Sequence, residues 1–117
     1  MKQKLLIVEN DIDLADILKM HAEMRNYIPF NAFSIQEARK ILAKESISRI
    51  ILDLRMPGGH GLELIASLKK CPWTQDIPIT VFSAQDDENT TQLSFLLGAD
   101  HFVAKPAPMA AVFNHDF

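Results

Sequence analysis

Residues 49–53 read Arg-Ile-Ile-Leu-Asp, a short apolar run that stops at an acidic side chain. A continuous apolar run of this length is typical of a strand buried on both faces, as in parallel sheets. Similar runs occupy residues 5–8, 79–82 and 101–104, and a weaker one occupies 28–33. Between these runs, apolar residues recur at helical spacing. The pattern predicts strands that alternate with helices along the whole chain.

The helices carry recognisable start and stop signals. Asn10 and Asp11 can cap a first helix, and Ser34 begins a second with Glu37 in capping-box spacing. Further helices are expected over 62–68 and 90–97, and Gly98 ends the latter in the position that glycine commonly takes. Five βα units with right-handed crossovers predict an α/β fold with a doubly wound, five-stranded parallel sheet. This is the (βα)5, flavodoxin-like, three-layer sandwich.

The chain of 117 residues is long enough for one domain, which we assign to residues 1–117. Its last segment looks short for a complete fifth helix. Pro108 sets the earliest helix start, and the run 114–116 (Asn-His-Asp) breaks the apolar pattern. We therefore expect the last helix to be truncated.

Charge and hydropathy exclude several classes of function. Twelve Lys and Arg against fifteen Asp and Glu leave a formal charge of −3, so direct binding of nucleic acid is not expected. No apolar run is long enough to span a membrane, and the run at 5–8 is too short for a signal peptide. Cys71 is the only cysteine, which excludes an internal disulfide. These features predict a cytoplasmic protein.

Reactive side chains follow the predicted strands, where ligands bind in open parallel sheets. They are Glu9 and Asn10 after the first strand, Asp53 after the third, Ser83 after the fourth and Lys105 after the fifth. Clustered carboxylates repel one another, and a divalent cation with oxygen ligands, Mg²⁺ or Mn²⁺, relieves that repulsion. A carboxylate beside such a cation can attack phosphorus to give an acyl phosphate. Lys105 and Ser83 could then bind the phosphoryl oxygens.

Four sequence blocks in this order resemble the receiver domains of two-component response regulators. They read LIVEND at 6–11, DLRMPGGHG at 53–61, VFSA at 81–84 and GADHFVAKP at 98–106. The resemblance extends from Lys4 to about Pro108, nearly the whole chain. Each block alone is weak evidence, but the four together, at βα spacing, are specific.

The resemblance implies a role for each matching position. Asp53 corresponds to the phosphoacceptor, and Lys105 to the lysine that pairs with the phosphoryl group, joined to Pro106 by a bond that is often cis. Ser83 corresponds to the switching hydroxyl and Phe102 to the switching aromatic residue. The Mg²⁺ ligands would be Glu9, Asn10, Asp53 and the backbone carbonyl of Arg55.

The resemblance also implies the partners. A histidine kinase or a histidine phosphotransfer protein would donate the phosphoryl group, and an output domain could lie outside this chain. Such a domain is a signalling module rather than an enzyme, and it assists only its own phosphorylation and dephosphorylation.

One position departs from the family pattern. The second member of the acidic, metal-binding pair is Asn10, whose neutral oxygen binds a hard cation less strongly than a carboxylate does. We therefore expect weak Mg²⁺ binding. Arg55, two residues after Asp53, could also change the lifetime of a phosphorylated state.

Other functions stay open at this point. The main alternative is a pseudo-receiver, a phosphorylation-independent protein-interaction module, which Asn10 favours. A phosphatase of the haloacid dehalogenase type would need a second Asp where Arg55 stands. A flavodoxin-like cofactor site would need a glycine-rich phosphate loop after the first strand, which this sequence lacks.

Overall fold

The computed structural model describes residues 2–114 and 117. A parallel sheet has the strand order β2-β1-β3-β6-β7, formed by β1 (Gln3–Val8), β2 (Tyr27–Ala32), β3 (Arg49–Leu52), β6 (Ile79–Ser83) and β7 (His101–Ala104). The helices are α1 (Ile12–Met24), α2 (Ile35–Lys44), α3 (Gly61–Lys69), α4 (Glu88–Leu97) and α5 (Met109–Val112). A small hairpin joins β4 (Arg55–Met56) to β5 (Gly59–His60). The predicted doubly wound sheet is confirmed.

Helices cover both faces of the sheet, which explains the continuous apolar runs. Successive residues of a strand point to opposite faces. In β1, Leu6 and Val8 pack in one apolar cluster with residues of α2 and α3, whereas Leu5 and Ile7 pack in a second cluster with α1 and Val112 of α5. Each face of the sheet is therefore part of a core. None of the helices in the described residues combines the length and apolarity needed to cross a bilayer.

Two helices differ in detail from the expectation. Helix α4 begins at Glu88 rather than Thr90, because the Asp87 side chain accepts a hydrogen bond from the Thr90 N–H at 3.1 Å and caps the helix. Helix α3 runs from Gly61 to Lys69 and so extends beyond the expected 62–68 at both ends.

The fifth helix is short, as expected. Helix α5 has four residues, and beyond it the Phe113 and Phe117 rings pack against each other with centroids 4.8 Å apart. The Arg49 guanidinium lies 4.2 Å from the centroid of the Phe117 ring. Residues 115 and 116, which contributed to the expectation of a truncated helix, lie outside the described residues. The truncation of this helix therefore stays a prediction.

Backbone hydrogen bonds continue one residue past the strands and fix where the candidate site begins. The Glu9 N–H donates to the Ala32 carbonyl at 3.0 Å, and the Asp53 N–H donates to the Val8 carbonyl at 3.0 Å. Across the other half of the sheet, the Lys105 N–H donates to the Ser83 carbonyl at 2.9 Å. The sheet therefore fixes the backbone positions of Glu9, Asp53 and Lys105, which carry the candidate site.

Gly61 lets α3 approach the backbone that carries Asp53. Its N–H donates to the Leu54 carbonyl at 2.7 Å. A Cβ atom at this position would lie 2.8 Å from the Leu54 Cα and 3.1 Å from the Asp53 carbonyl oxygen. Backbone atoms cannot move aside as a flexible side chain can. Glycine is therefore required here by close packing rather than by an unusual φ angle.

We expect Gly61→Ala to lower the free energy of unfolding by about 1–3 kcal/mol, because the added methyl group pushes α3 away from the 53–54 backbone. Urea denaturation followed by circular dichroism measures this change. Ala43→Ser, at an exposed position of α2, is the control and should leave the stability nearly unchanged. Equal stability of Gly61→Ala and the parent would contradict the packing argument.

Candidate functional site

Lys105 joins two carboxylates at the carboxyl edge of the sheet. Its Nζ atom donates to Glu9 Oε1 at 2.7 Å and to Asp53 Oδ2 at 3.0 Å. Glu9 is 2% exposed and Asp53 is 8% exposed. The three side chains follow β1, β3 and β7. The structure thus brings together three of the predicted site residues by direct contact.

The electrostatics of this triad favour a charged lysine. Burial of Lys105 opposes its ammonium form, but the hydrogen bonds to Glu9 and Asp53 and their negative charges outweigh that burial. The pKa of Lys105 is consequently raised above its ordinary value of 10.5. Two carboxylates face one ammonium, so the three side chains together carry a formal negative charge.

The second oxygen of each carboxylate faces a backbone amide. Glu9 Oε2 accepts from the Asp11 N–H at 3.0 Å, and Asp53 Oδ1 accepts from the Arg55 N–H at a longer 3.3 Å. Asp11 itself caps α1, where its Oδ1 accepts from the Leu14 N–H at 3.2 Å. Because Asp11 is committed to the helix, it does not replace a carboxylate at position 10.

Ser83 and Phe102 lie on the neighbouring strands β6 and β7. The Ser83 side chain is fully buried, and its Oγ accepts from the Gln85 N–H at 3.1 Å. Phe102 is half-buried, pairs with Val81 in the sheet and packs against the α2–α3 side of the core. The Lys105 N–H donates to the Ser83 carbonyl, which places Ser83 beside the triad, while the switching roles of Ser83 and Phe102 stay predictions.

The predicted metal ligands offer only oxygen atoms. Glu9 and Asp53 supply carboxylates, the exposed Asn10 supplies an amide, and Arg55 supplies a backbone carbonyl. Oxygen donors of this kind suit Mg²⁺ or Mn²⁺. Among residues 2–114 and 117, no group of three or more His, Cys, Asp and Glu side chains could hold a metal ion. A cation in the triad would therefore depend on the neutral oxygens as well as the two carboxylates.

Three residues near the site were not anticipated. Asn31 Nδ2 donates to the carbonyls of Ile7 at 3.0 Å and Glu9 at 3.3 Å, which fastens the end of β1 to β2.

The His60 and Gln85 side chains are in contact, with 2.8 Å between His60 Nε2 and Gln85 Oε1. The position of His60 directly before a helix was the one available signal, since that is where caps occur.

The peptide bond between Lys105 and Pro106 is cis, as the resemblance implies.

A comparison with protein families matches residues 5–115 to the family described as "Response regulator receiver domain". Among curated proteins, the phosphate regulon transcriptional regulatory protein PhoB of Pseudomonas aeruginosa is 30% identical over 102 residues, which cover 87% of this chain and 44% of that protein. The chain spans less than half the length of the curated relatives it matches.

Solved structures of response regulators are also similar to this chain. The non-phosphorylated HemR receiver domain of Leptospira biflexa is 31% identical with a TM-score of 0.86, and the match covers 94% of this chain and 87% of that one. A response regulator of Burkholderia pseudomallei is 29% identical with a TM-score of 0.83, covering 94% of this chain and 66% of that one. The latter was solved with a phosphorylated aspartic acid, a calcium ion and citrate.

We expect Lys105→Met to lower the free energy of unfolding at pH 7 by about 2–3 kcal/mol, because two carboxylates lose their charged hydrogen-bond donor. Since the folded-state pKa of Lys105 is raised above 10.5, this stabilisation is complete below pH 10.5. It disappears as the pH rises through the higher folded-state value. Urea denaturation of both proteins from pH 7 to pH 11.5 measures the difference.

Lys40→Met, at an exposed position of α2, controls for the loss of one positive charge. It should change stability by less than about 0.5 kcal/mol at any of these pH values. A difference between parent and Lys105→Met that persists undiminished at the alkaline end would contradict the electrostatic explanation.

Proposed function

This chain belongs to the response regulator receiver domain family of two-component systems, and we propose that it is switched by a phosphoryl group accepted on Asp53. The observation that carries the proposal is the Lys105 ammonium, which contacts both Asp53 and Glu9 at the carboxyl edge of the sheet. Asp53 is the carboxylate at the end of a central strand, and it combines burial with a contact to a cation.

The phosphoryl donor in this proposal is the phosphohistidine of a histidine kinase or a histidine phosphotransfer protein. An Asp53 carboxylate oxygen attacks phosphorus, a P–O bond forms, and the P–N bond breaks with its electron pair left on the imidazole. Lys105 keeps its charge throughout and balances the negative phosphoryl oxygens. The product is an acyl phosphate on Asp53.

A divalent cation would fit beside this carboxylate, held by Glu9, Asn10, Asp53 and the carbonyl of Arg55. When bound, Mg²⁺ or Mn²⁺ supplies neutralisation of the phosphoryl charge. The residual negative charge of the triad supports this assignment, and the phosphorylated relative from Burkholderia pseudomallei was solved with a calcium ion. The neutral side chain of Asn10 makes the binding weak.

Ser83 and Phe102 would convert phosphorylation into a change of shape. The Ser83 hydroxyl leaves the Gln85 N–H and donates to a phosphoryl oxygen, and Phe102 on the adjacent strand moves with it. A partner or an output domain outside this chain reads the altered surface. The PhoB relative is described as a transcriptional regulatory protein, which fits an output domain in a longer polypeptide.

We expect the protein incubated with Mg²⁺ and acetyl phosphate to gain one phosphoryl group, and Asp53→Asn to gain none, because the amide is not a nucleophile. Intact-mass spectrometry measures the gain. Asp86→Asn, in the exposed loop before α4, removes the same charge elsewhere and should be phosphorylated like the parent.

A folded parent that gains no phosphoryl group at any Mg²⁺ concentration would contradict the proposal. That result would favour the second candidate, a pseudo-receiver that acts as a phosphorylation-independent interaction module. The observation behind this candidate is Asn10, which stands where a second metal-binding carboxylate would be expected.

We expect Asn10→Asp to tighten Mg²⁺ binding on the order of tenfold, because a third carboxylate adds charge to the ligand set. Isothermal titration calorimetry with MgCl2 measures the affinity. Asn89→Asp, an exposed substitution at the start of α4, is the matched control and should leave the affinity unchanged. Unaltered binding in Asn10→Asp would mean that position 10 does not contact the metal.

A further inference from the structure

The loop between β6 and α4, residues 84–87, is attached to the start of α3 by one side-chain contact. His60 Nε2 lies 2.8 Å from Gln85 Oε1. His60 comes from the β4–β5 hairpin after Asp53, and Gln85 follows Ser83 by two residues. Both side chains are half-buried. The contact therefore links the segment after the phosphoacceptor strand to the segment that carries the switching hydroxyl.

The hydrogen bonds of His60 determine which ring nitrogen holds the proton. Nδ1 accepts from the Leu62 N–H at 3.1 Å and so caps α3. An accepting Nδ1 has no proton, so in the neutral ring the proton is on Nε2. Nε2 accordingly donates to Gln85 Oε1. One imidazole thus caps a helix and holds a glutamine side chain at the same time.

Gln85, whose side chain is bonded to His60, is also bonded to Ser83 through its backbone. Its backbone N–H donates to Ser83 Oγ at 3.1 Å, and its Nε2 atom donates to Thr90 Oγ1 at 3.5 Å. Thr90 belongs to the first turn of α4. With Oε1 held by His60 and Nε2 by Thr90, the backbone of Gln85 is anchored from two helices. A movement of this backbone N–H away from Ser83 would therefore strain the two side-chain bonds of Gln85.

We propose that His60 and Gln85 are positioning residues that hold Ser83 in its withdrawn position before phosphorylation. The consequence for switching rests on the proposed function of Asp53. For the Ser83 hydroxyl to reach a phosphoryl oxygen, it must leave the Gln85 N–H, and movement of that loop breaks the His60–Gln85 bond. The bond therefore favours the unphosphorylated conformation and opposes the switch.

Loss of one such hydrogen bond should shift the switching equilibrium roughly twofold to tenfold toward the phosphorylated conformation. His60→Asn isolates the bond, because Asn Oδ1 takes the place of Nδ1 and keeps the cap of α3 while Nε2 is lost. Gln85→Met removes the acceptor, and with it the donor to Thr90, with little change of volume. The double variant completes a double-mutant cycle.

The first measurement uses the unphosphorylated protein. We expect the exchange rate of the Gln85 amide hydrogen, followed by NMR, to rise about twofold to tenfold in His60→Asn and in Gln85→Met. The double variant should exchange no faster than Gln85→Met alone, since Gln85→Met has already removed the bond that His60→Asn removes. A merely structural role would give effects that add. Unchanged exchange in the single variants, or additive effects, would overturn the proposal.

The second measurement is the affinity for beryllofluoride with Mg²⁺, a mimic of the phosphoryl group, followed by NMR titration. We expect both single variants to bind about twofold to tenfold more tightly than the parent, without additivity. A parent that binds but whose variants show unchanged affinity would overturn the link to Ser83. If the parent binds no beryllofluoride, the proposed function fails, and the exchange cycle alone decides whether His60 and Gln85 hold Ser83.

Discussion

The contact of one ammonium with two carboxylates is the interaction on which the site depends. Lys105 lies 96 residues from Glu9 and 52 from Asp53, so the charges meet only when β1, β3 and β7 lie in one sheet. Two carboxylates this well buried are costly unless a cation pairs with them. The fold accommodates its reactive edge because the last strand delivers that cation.

The parallel sheet makes this arrangement possible. The sheet hydrogen bonds continue one residue beyond the strands. They hold the backbones of Glu9, Asp53 and Lys105 in place along the same edge of the sheet. Apolar cores on both faces hold the strands in register. The two neighbouring acidic residues have different roles, because Asp11 caps α1 whereas Glu9 contacts Lys105. Asn10 is left exposed, with only a neutral oxygen to offer a cation.

The side chains at this edge are held in two different ways. Glu9 and Asp53 are held by backbone amides and by Lys105, so both carboxylates have little freedom. The Ser83 hydroxyl instead accepts a hydrogen bond from the Gln85 N–H, in the loop before α4. The contact between the Gln85 and His60 side chains connects that loop to the start of α3. The proposed function uses both, because Asp53 would hold the phosphoryl group while Ser83 would exchange its hydrogen-bond partner.

The sequence by itself determined the order of strands and helices and the residues that follow each strand, because apolar runs and helical spacing are local patterns. It also indicated the family through four motifs. It placed the start of α4 at Thr90 rather than at Glu88, because the cap depends on the hydrogen bond from the Thr90 N–H to the Asp87 side chain. Only the tertiary structure decided that Lys105 contacts both carboxylates, that Gly61 must lack a Cβ, and that His60 reaches Gln85. These contacts join segments far apart in the chain, and their geometry is set by packing rather than by any local pattern.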